Sequence, residues 1–184
     1  ERLVALGWTE EAIAVALALP VRQIKKLRLL ANVLPAMLDH MAKGDMPNEQ
    51  QLRTIAAASL VFGGVIDRFP NIRFYMVHGG GFVPYQAGRW QHGWHVRPEP
   101  KVNLKVPPAE TIRTFYWDTI LHSKPQLEFL VKEWGAAKVI LGSDYPYDMG
   151  TFECARQVKA LSCGELDKVT MLNGIVQKLL AGVK

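Results

Sequence analysis

The sequence predicts an α/β fold in which a helical segment, residues 1–58, precedes a parallel β/α portion, residues 59–184. Two short apolar runs predict the second part, because residues 74–77 lead to His78 and residues 139–141 lead to Asp144. An apolar run bounded by Gly or Pro is typical of a strand buried on both faces. In the first part, apolar residues recur at spacings of three, four and seven, which indicates amphipathic helices.

The helical segment is predicted to contain a helix over residues 10–17 and a second helix after the Leu19-Pro20 break. Thr9 is a good N-cap, and the carboxylates of the first turn favour the positive helix end. Proline fits a first helical turn and disfavours helix in the residue before it. Two short helices joined by a tight turn are a helix-turn-helix candidate. The second helix carries a basic cluster: Arg22, Lys25, Lys26 and Arg28.

In the β/α portion, strands are predicted over residues 71–77, 114–117 and 139–142. A helix is predicted over residues 125–134, with Ser123 as its cap and Gly135 at its C-terminal end.

Two further segments complete the layout. Residues 86–108, rich in Pro and aromatic side chains, are predicted to form an irregular stretch that covers a substrate. The tail from Phe152 is predicted to be helical, and Ser162 with Glu165 forms a capping-box pattern there.

His78 and Asp144 are the leading functional pair. A polar residue at the carboxyl end of a buried parallel strand lies where such sheets place their chemistry. Each also has a structural interpretation, since a His at a strand end is often only hydrogen-bonded and an Asp before Tyr-Pro is often a turn former or helix cap.

Other polar side chains in residues 86–108 are more ambiguous. His92 and His95 have the spacing of two ligands on one helical face, but loop packing or substrate contact is the favoured interpretation. Arg89 and Arg97 suit an acidic substrate through bidentate carboxylate contacts, or are surface charges.

Several ordered motifs carry a family resemblance: residues 59–70, 77–82, 88–89, 115–118 and 141–146. On these motifs the chain from about residue 59 onward resembles the amidohydrolase-related barrels of the aminocarboxymuconate-semialdehyde decarboxylase type. The resemblance implies the C-terminal portion of a (β/α)8 TIM-barrel-like metal-dependent hydrolase fold, incomplete in this chain. It further implies that His78 acts in catalysis beside a metal, that Asp144 is a metal ligand and that Arg89 faces a substrate carboxylate.

The same resemblance exposes missing ligands. Members of that family carry a His-x-His pair and a further His, whereas this chain has no His-x-His. Its histidines are His40, His78, His92, His95 and His122. A catalytic zinc normally has three protein ligands, so we expect zinc or manganese to be held only if another chain completes the site. A barrel typically needs about 250 residues, so a second copy or a partner fragment is expected at the open strand edge.

Residues 1–58 resemble the helix-turn-helix region of ParB-type partition proteins, over residues 6–13, 21–30 and 44–55. The resemblance places Val21, Arg22, Gln23 and Lys26 near the DNA groove, and Lys25 and Arg28 at phosphates. However, residues 1–58 contain seven Lys or Arg against six Asp or Glu, so no domain-wide basic field supports phosphate binding.

Three functions follow as alternatives. The first is a metal-dependent hydrolase or decarboxylase of an aromatic or unsaturated carboxylic acid, the substrate class that the resemblance implies. The second is a DNA-binding module with a non-catalytic barrel remnant. The third is a gene-fusion product without selected activity, in which a continuous helix is predicted across the seam at residues 55–60.

Composition favours a soluble, cytoplasmic protein. Cys154 and Cys163 match no zinc-ligand pattern, and their spacing gives no reason to infer a disulfide. No apolar run approaches the roughly 20 residues that span a bilayer. The net charge of +5 is a mild bias toward anionic partners.

Overall fold

The computed structural model describes residues 6–18, 20–21, 24, 43–44 and 49–181. It divides into two compact units, Glu1–Val65 and Ile66–Lys184. Within the described ranges, no helix is both long and apolar enough to cross a membrane.

The first unit contains helices α1, Glu10–Ala16, and α2, Glu49–Phe62. Thr9 caps α1, because its hydroxyl accepts a hydrogen bond from the Ala12 N–H at 3.1 Å. The predicted helix over residues 10–17 is therefore confirmed, except that it ends one residue earlier, at Ala16. Helix α2 also runs through residues 55–60, where a continuous helix was predicted.

A small apolar cluster packs beside α1. Ile13 and Ala14, on one side of the helix, are buried with Ile24, and Val21 packs against them. The DNA-binding prediction rests on residues that lie outside the described part of the chain: Arg22, Gln23, Lys25, Lys26 and Arg28.

The second unit alternates helices with a parallel sheet. Its strands are β1, Tyr75–Met76, β2, Tyr116–Asp118, and β3, Val139–Ile140, in the order β1-β2-β3. The register pairs Met76 with Trp117 and Trp117 with Val139. Strands β1 and β3 lie within their predicted regions and are shorter than predicted. Strand β2 begins two residues later than predicted and ends at Asp118.

Helices connect and flank these strands. They are α3, Val65–Arg68; α4, Val83–Val96; α5, Pro108–Ile112; α6, Lys124–Trp134; α7, Cys154–Lys159; α8, Glu165–Val169; and α9, Ile175–Leu180. Short 3-10 turns cover His78–Gly80, Glu99–Lys101 and Ala136–Lys138, and a π-helical turn covers Thr170–Gly174. This alternation gives the α/β fold that the sequence predicts.

The core of this unit lies between the sheet and helix α6. Phe115, Trp117 and Val139 are fully buried, and the rings of Trp117 and Trp134 lie 5.3 Å apart. Helix α6 ends at Gly135, whose φ of 87° is a conformation that glycine adopts without a Cβ penalty.

The predicted irregular stretch over residues 86–108 is wrong for its first half, which is helix α4. The reason is the position of the prolines. Pro84 lies in the first turn of α4. Backbone N–H groups there have no partner within the helix, so the N–H that proline lacks costs no helical hydrogen bond. Pro98 and Pro100 follow the end of the helix at Val96 and so do not interrupt it. In the helical tail, the cap of α8 is Gly164 instead of the predicted Ser162.

Candidate functional site

The two leading residues of the sequence meet at one edge of the sheet. His78 follows β1 and Asp144 follows β3, and the parallel strands bring both carboxyl ends to the same edge. The His78 Nε2 and Asp144 Oδ1 atoms lie 3.5 Å apart, with side chains 34% and 18% exposed. The pair is therefore both close together and open to solvent.

Both residues have an unusual backbone conformation. The φ angle is 56° at His78 and 57° at Asp144, in the left-handed region that residues other than glycine rarely occupy. Such a conformation costs about 1–3 kcal/mol at each residue and persists only when surrounding contacts hold it. The contacts that hold each residue are therefore part of the site.

Asp118 holds the backbone at His78. Its Oδ2 atom accepts a hydrogen bond from the His78 N–H at 2.8 Å, and its Oδ1 atom accepts bonds from the N–H groups of Gly79 at 2.7 Å and Ile120 at 3.0 Å. Asp118 ends β2 and is buried. The sequence reasoning missed it as a site residue, although it follows the same rule as His78 and Asp144: a polar residue that follows an apolar run.

The glycines after His78 are fixed by close contacts. A Cβ on Gly79 would lie 2.5 Å from Leu121 Cδ2, and a Cβ on Gly80 would lie 2.3 Å from Trp117 Cζ3. Both residues also have positive φ angles, 59° and 77°. Only glycine satisfies the space and the conformation together, which is the physical reason for a Gly-rich turn at this position.

Asp144 is carried by a tightly closed loop. The Thr151 N–H donates to the Ser143 carbonyl at 2.8 Å, and the Tyr147 N–H donates to the Asp144 carbonyl at 2.9 Å. A Cβ on Gly150 would lie 2.9 Å from the Ser143 carbonyl oxygen. The outer surface of the loop is apolar and exposed, with Tyr145, Tyr147, Met149 and Phe152.

Tyr75 lies on β1 beneath this edge. Its hydroxyl oxygen is 3.2 Å from the point that a Cβ on Gly142 would occupy, so the missing side chain of Gly142 makes room for it. Tyr75 is 45% exposed as a whole residue, and partial burial of its hydroxyl end, and secondly the negative charge of Asp118, raise the pKa of Tyr75 above its ordinary value. The phenol therefore stays protonated and is a hydrogen-bond donor.

The other sequence candidates lie on helix α4, just after it, and in the turn that follows β2. Arg89 and His92 lie on the exposed side of α4, and Arg97 follows the end of that helix. The His95 ring nitrogen Nε2 is hydrogen-bonded to the Gln91 side chain at 2.8 Å. His122 Nε2 contacts the Met149 carbonyl oxygen at 2.8 Å.

The described residues do not by themselves fit a resident metal ion. No group of three or more His, Cys, Asp or Glu side chains converges within them. The pair supplies one imidazole nitrogen and one carboxylate, whereas the Asp118 oxygens already accept three N–H groups. A catalytic metal usually needs three protein ligands, more than this pair supplies.

Solved structures share this fold. A dihydroxybenzoic acid decarboxylase from Polaromonas sp. JS666, determined with bound manganese and the inhibitor 2-nitroresorcinol, superposes with a TM-score of 0.65 at 22% identity, over 80% of this chain and 47% of that one. A 2,6-dihydroxybenzoate decarboxylase from Rhizobium has a TM-score of 0.64 at 22% identity, over 72% of this chain and 42% of that one.

Curated relatives give higher identity over a shorter length. The 2-amino-3-carboxymuconate-6-semialdehyde decarboxylase of Dictyostelium discoideum is 37% identical over 122 residues, which are 65% of this chain and 34% of that protein. The chain thus spans about a third of the length of this relative.

A family model described as amidohydrolase matches residues 1–169. That match includes residues 1–58, and the resemblance of this segment to ParB-type proteins gains no support from the comparisons. The match covers most of the 184 residues. The chain therefore belongs to the amidohydrolase family.

Proposed function

We propose that this chain carries the proton-transfer part of a metal-dependent amidohydrolase-type enzyme that decarboxylates or hydrolyses an aromatic or unsaturated carboxylic acid. The observation that carries the proposal is the 3.5 Å contact between His78 Nε2 and Asp144 Oδ1 at the open edge of a parallel sheet. Decarboxylation is favoured because matched relatives bear that name, including a 6-methylsalicylic acid decarboxylase of Penicillium expansum that is 30% identical over 92 residues, which are 50% of this chain and 28% of that protein.

In this proposal His78 is the proton donor. The bond between the substrate carbon and its carboxylate breaks, and the electron pair stays on the carbon. A proton from the His78 imidazole then replaces the carboxylate, which leaves as carbon dioxide. The carboxylate of Asp144 faces the imidazole and forms an ion pair with it when His78 is protonated.

The metal enters as a further part of the proposal. Asp144 is one ligand for manganese or zinc, and the remaining ligands come from a second copy of the chain or from a partner fragment. This requirement follows from the donor count, since the described residues offer fewer than three converging ligands.

Arg89 is the proposed contact for the substrate carboxylate, since a guanidinium binds a carboxylate through two parallel hydrogen bonds. It lies on the exposed side of α4, so this role depends on the same completing chain.

Metal content measured by elemental mass spectrometry, together with molar mass measured by light scattering, tests the proposal. We expect stoichiometric manganese or zinc in a dimer or larger complex, with the metal lost in Asp144→Ala. Asp148→Ala is the matched control, because Asp148 is an exposed aspartate in the same loop. A metal-free wild-type protein, or equal loss of metal in both variants, would contradict the proposal.

Turnover tests the role of His78 separately. Carbon dioxide release from a panel of dihydroxybenzoates and unsaturated dicarboxylic acids is expected to fall by about 10²–10⁴-fold in His78→Ala, the usual contribution of a general acid. His92→Ala is the control, because His92 is an exposed histidine of α4. Unchanged turnover in His78→Ala would assign the proton transfer to another group.

DNA binding by residues 1–58 stays a separate prediction. It rests on the basic cluster of Arg22, Lys25, Lys26 and Arg28 with Gln23. Reduced retention on a DNA column in Lys25→Ala combined with Lys26→Ala would support it, and unchanged retention would contradict it.

A further inference from the structure

Asp118 is a buried carboxylate beneath the turn that carries His78. It is 3% exposed and ends the strand β2. A carboxylate in such a position is unfavourable unless hydrogen bonds satisfy it. Three backbone N–H groups do so here, those of His78, Gly79 and Ile120, at 2.8, 2.7 and 3.0 Å.

Two of these contacts act on one residue. The His78 N–H belongs to the peptide plane before the His78 Cα atom, and the Gly79 N–H belongs to the plane after it. Because the carboxylate binds both N–H groups, it fixes the orientation of both planes. It thereby determines the φ and ψ angles of His78, including the left-handed φ of 56°.

The direction of a Cα–Cβ bond follows from the orientation of the two flanking peptide planes. The contacts at Asp118 therefore set the direction in which the imidazole leaves the backbone, and that direction brings Nε2 to 3.5 Å from Asp144 Oδ1. We propose that Asp118 is a positioning residue, which aims the His78 imidazole at Asp144 and at the substrate by holding the peptide planes on both sides of His78. The link to substrate rests on the proposed function; the link between the backbone and the imidazole does not.

A role as a third metal ligand is a weaker explanation of Asp118. Both of its oxygens already accept N–H groups, and no group of three or more ligand side chains converges in the described part of the chain. A purely structural role is the other alternative. It predicts that any other substitution that lowers the free energy of unfolding by the same amount has the same effect on the reactivity of His78.

Asp118→Asn separates these alternatives. The Oδ1 atom accepts two N–H groups and the Oδ2 atom accepts one, from His78. We expect the amide oxygen of Asn to take the position with two donors, which leaves the amide NH2 group facing the His78 N–H. Two donors cannot bond to each other, so this substitution releases His78 selectively.

The experiment measures carbethoxylation of each histidine by peptide mass spectrometry, at a pH where imidazoles are neutral. His78 is expected to react about tenfold to a hundredfold faster in Asp118→Asn, the factor that corresponds to the loss of one charge-assisted hydrogen bond. His92 is the internal reference and should not change. Val158→Ala is the control, because Val158 is fully buried in α7 and its truncation lowers stability through lost core packing.

An unchanged rate at His78 in folded Asp118→Asn, or equal acceleration in Val158→Ala, would overturn the proposal. If Asp118→Asn does not fold, hydrogen exchange of the His78 and Gly79 amides in the wild-type protein tests the proposal. Exchange about tenfold or more slower than in a free peptide supports it, and exchange at the free-peptide rate overturns it. Manganese titration of the wild-type protein distinguishes a failure of the positioning role from a failure of the metal-dependent function. Faster carbethoxylation of His78 in Asp118→Asn, with no manganese bound by the wild-type protein, supports the positioning role and contradicts the metal-dependent function.

Discussion

Replacing Gly80 with Ala measures how strictly the turn after β1 requires glycine. Gly80 has a φ of 77°, and a Cβ there would lie 2.3 Å from Cζ3 and 2.4 Å from Cε3 of Trp117. The indole of Trp117 is fully buried and packs against Trp134 at a centroid distance of 5.3 Å. It therefore has no free space into which it could move away from the new methyl group.

Two terms determine the expected magnitude. The left-handed backbone costs an alanine about 1–2 kcal/mol. The overlap with Trp117 adds about 1–3 kcal/mol, the usual cost of forcing an extra methyl group into a packed core. The free energy of unfolding should fall by about 2–5 kcal/mol, a large part of the roughly 5–15 kcal/mol that typical domains possess.

Urea denaturation measures this change, and two other glycines separate the terms. Gly81 has a φ of 58° and a ψ of −119°, a backbone that glycine adopts far more readily than alanine, with nothing within 4 Å of its ideal Cβ, so Gly81→Ala gives an upper bound on the conformational term. Gly88 lies in helix α4 with the same open space, so Gly88→Ala should stabilise the protein by about 0.5–1 kcal/mol. A fall of no more than about 1–2 kcal/mol in Gly80→Ala, the conformational term alone, would show that Trp117 leaves room for the methyl group.

Two further predictions follow from the same edge of the sheet. The folded state retains the Tyr75 proton above pH 10, because partial burial and Asp118 raise the pKa of this phenol above the ordinary 10.0. The unfolded chain releases that proton at about pH 10, so the free energy of unfolding should decline as pH rises above this value. Denaturation curves of Tyr75→Phe should lose this part of the decline, whereas Tyr147→Phe, at the more exposed of the two tyrosines, should keep it. Identical curves for the two variants would contradict the assignment. Gly150→Ala should open the loop after Asp144, because its Cβ would lie 2.9 to 3.0 Å from three backbone carbonyl oxygens. Limited proteolysis should then cut this loop faster than in Gly164→Ala, where the nearest atom is 4.0 Å away; equal cutting rates would show that the loop tolerates a side chain.

The elements predicted correctly from the sequence are those whose signals are local. Thr9 caps α1 through a contact three residues away, and Gly135 ends α6 through its own backbone conformation. Helix α4 was missed over residues 86–96, because its glycines and aromatic residues resemble a loop and its burial of Val83 and Ala87 is a tertiary property. In that segment, the packing of one helix face determined the secondary structure, although the amino-acid composition favours a loop.

The sequence by itself determined that His78 and Asp144 follow buried strands, because an apolar run that ends in a polar residue is a local pattern. Parallel pairing then implies that the two residues share one edge. Only the tertiary structure decided how they meet: the 3.5 Å separation, the hydrogen bonds from the His78 and Gly79 N–H groups to Asp118, and the close approach of Gly80 to Trp117. Asp118 and His78 are 40 residues apart, and a hydrogen bond over such a separation leaves no periodic trace in the sequence, because it depends on the register of two strands rather than on the spacing within one.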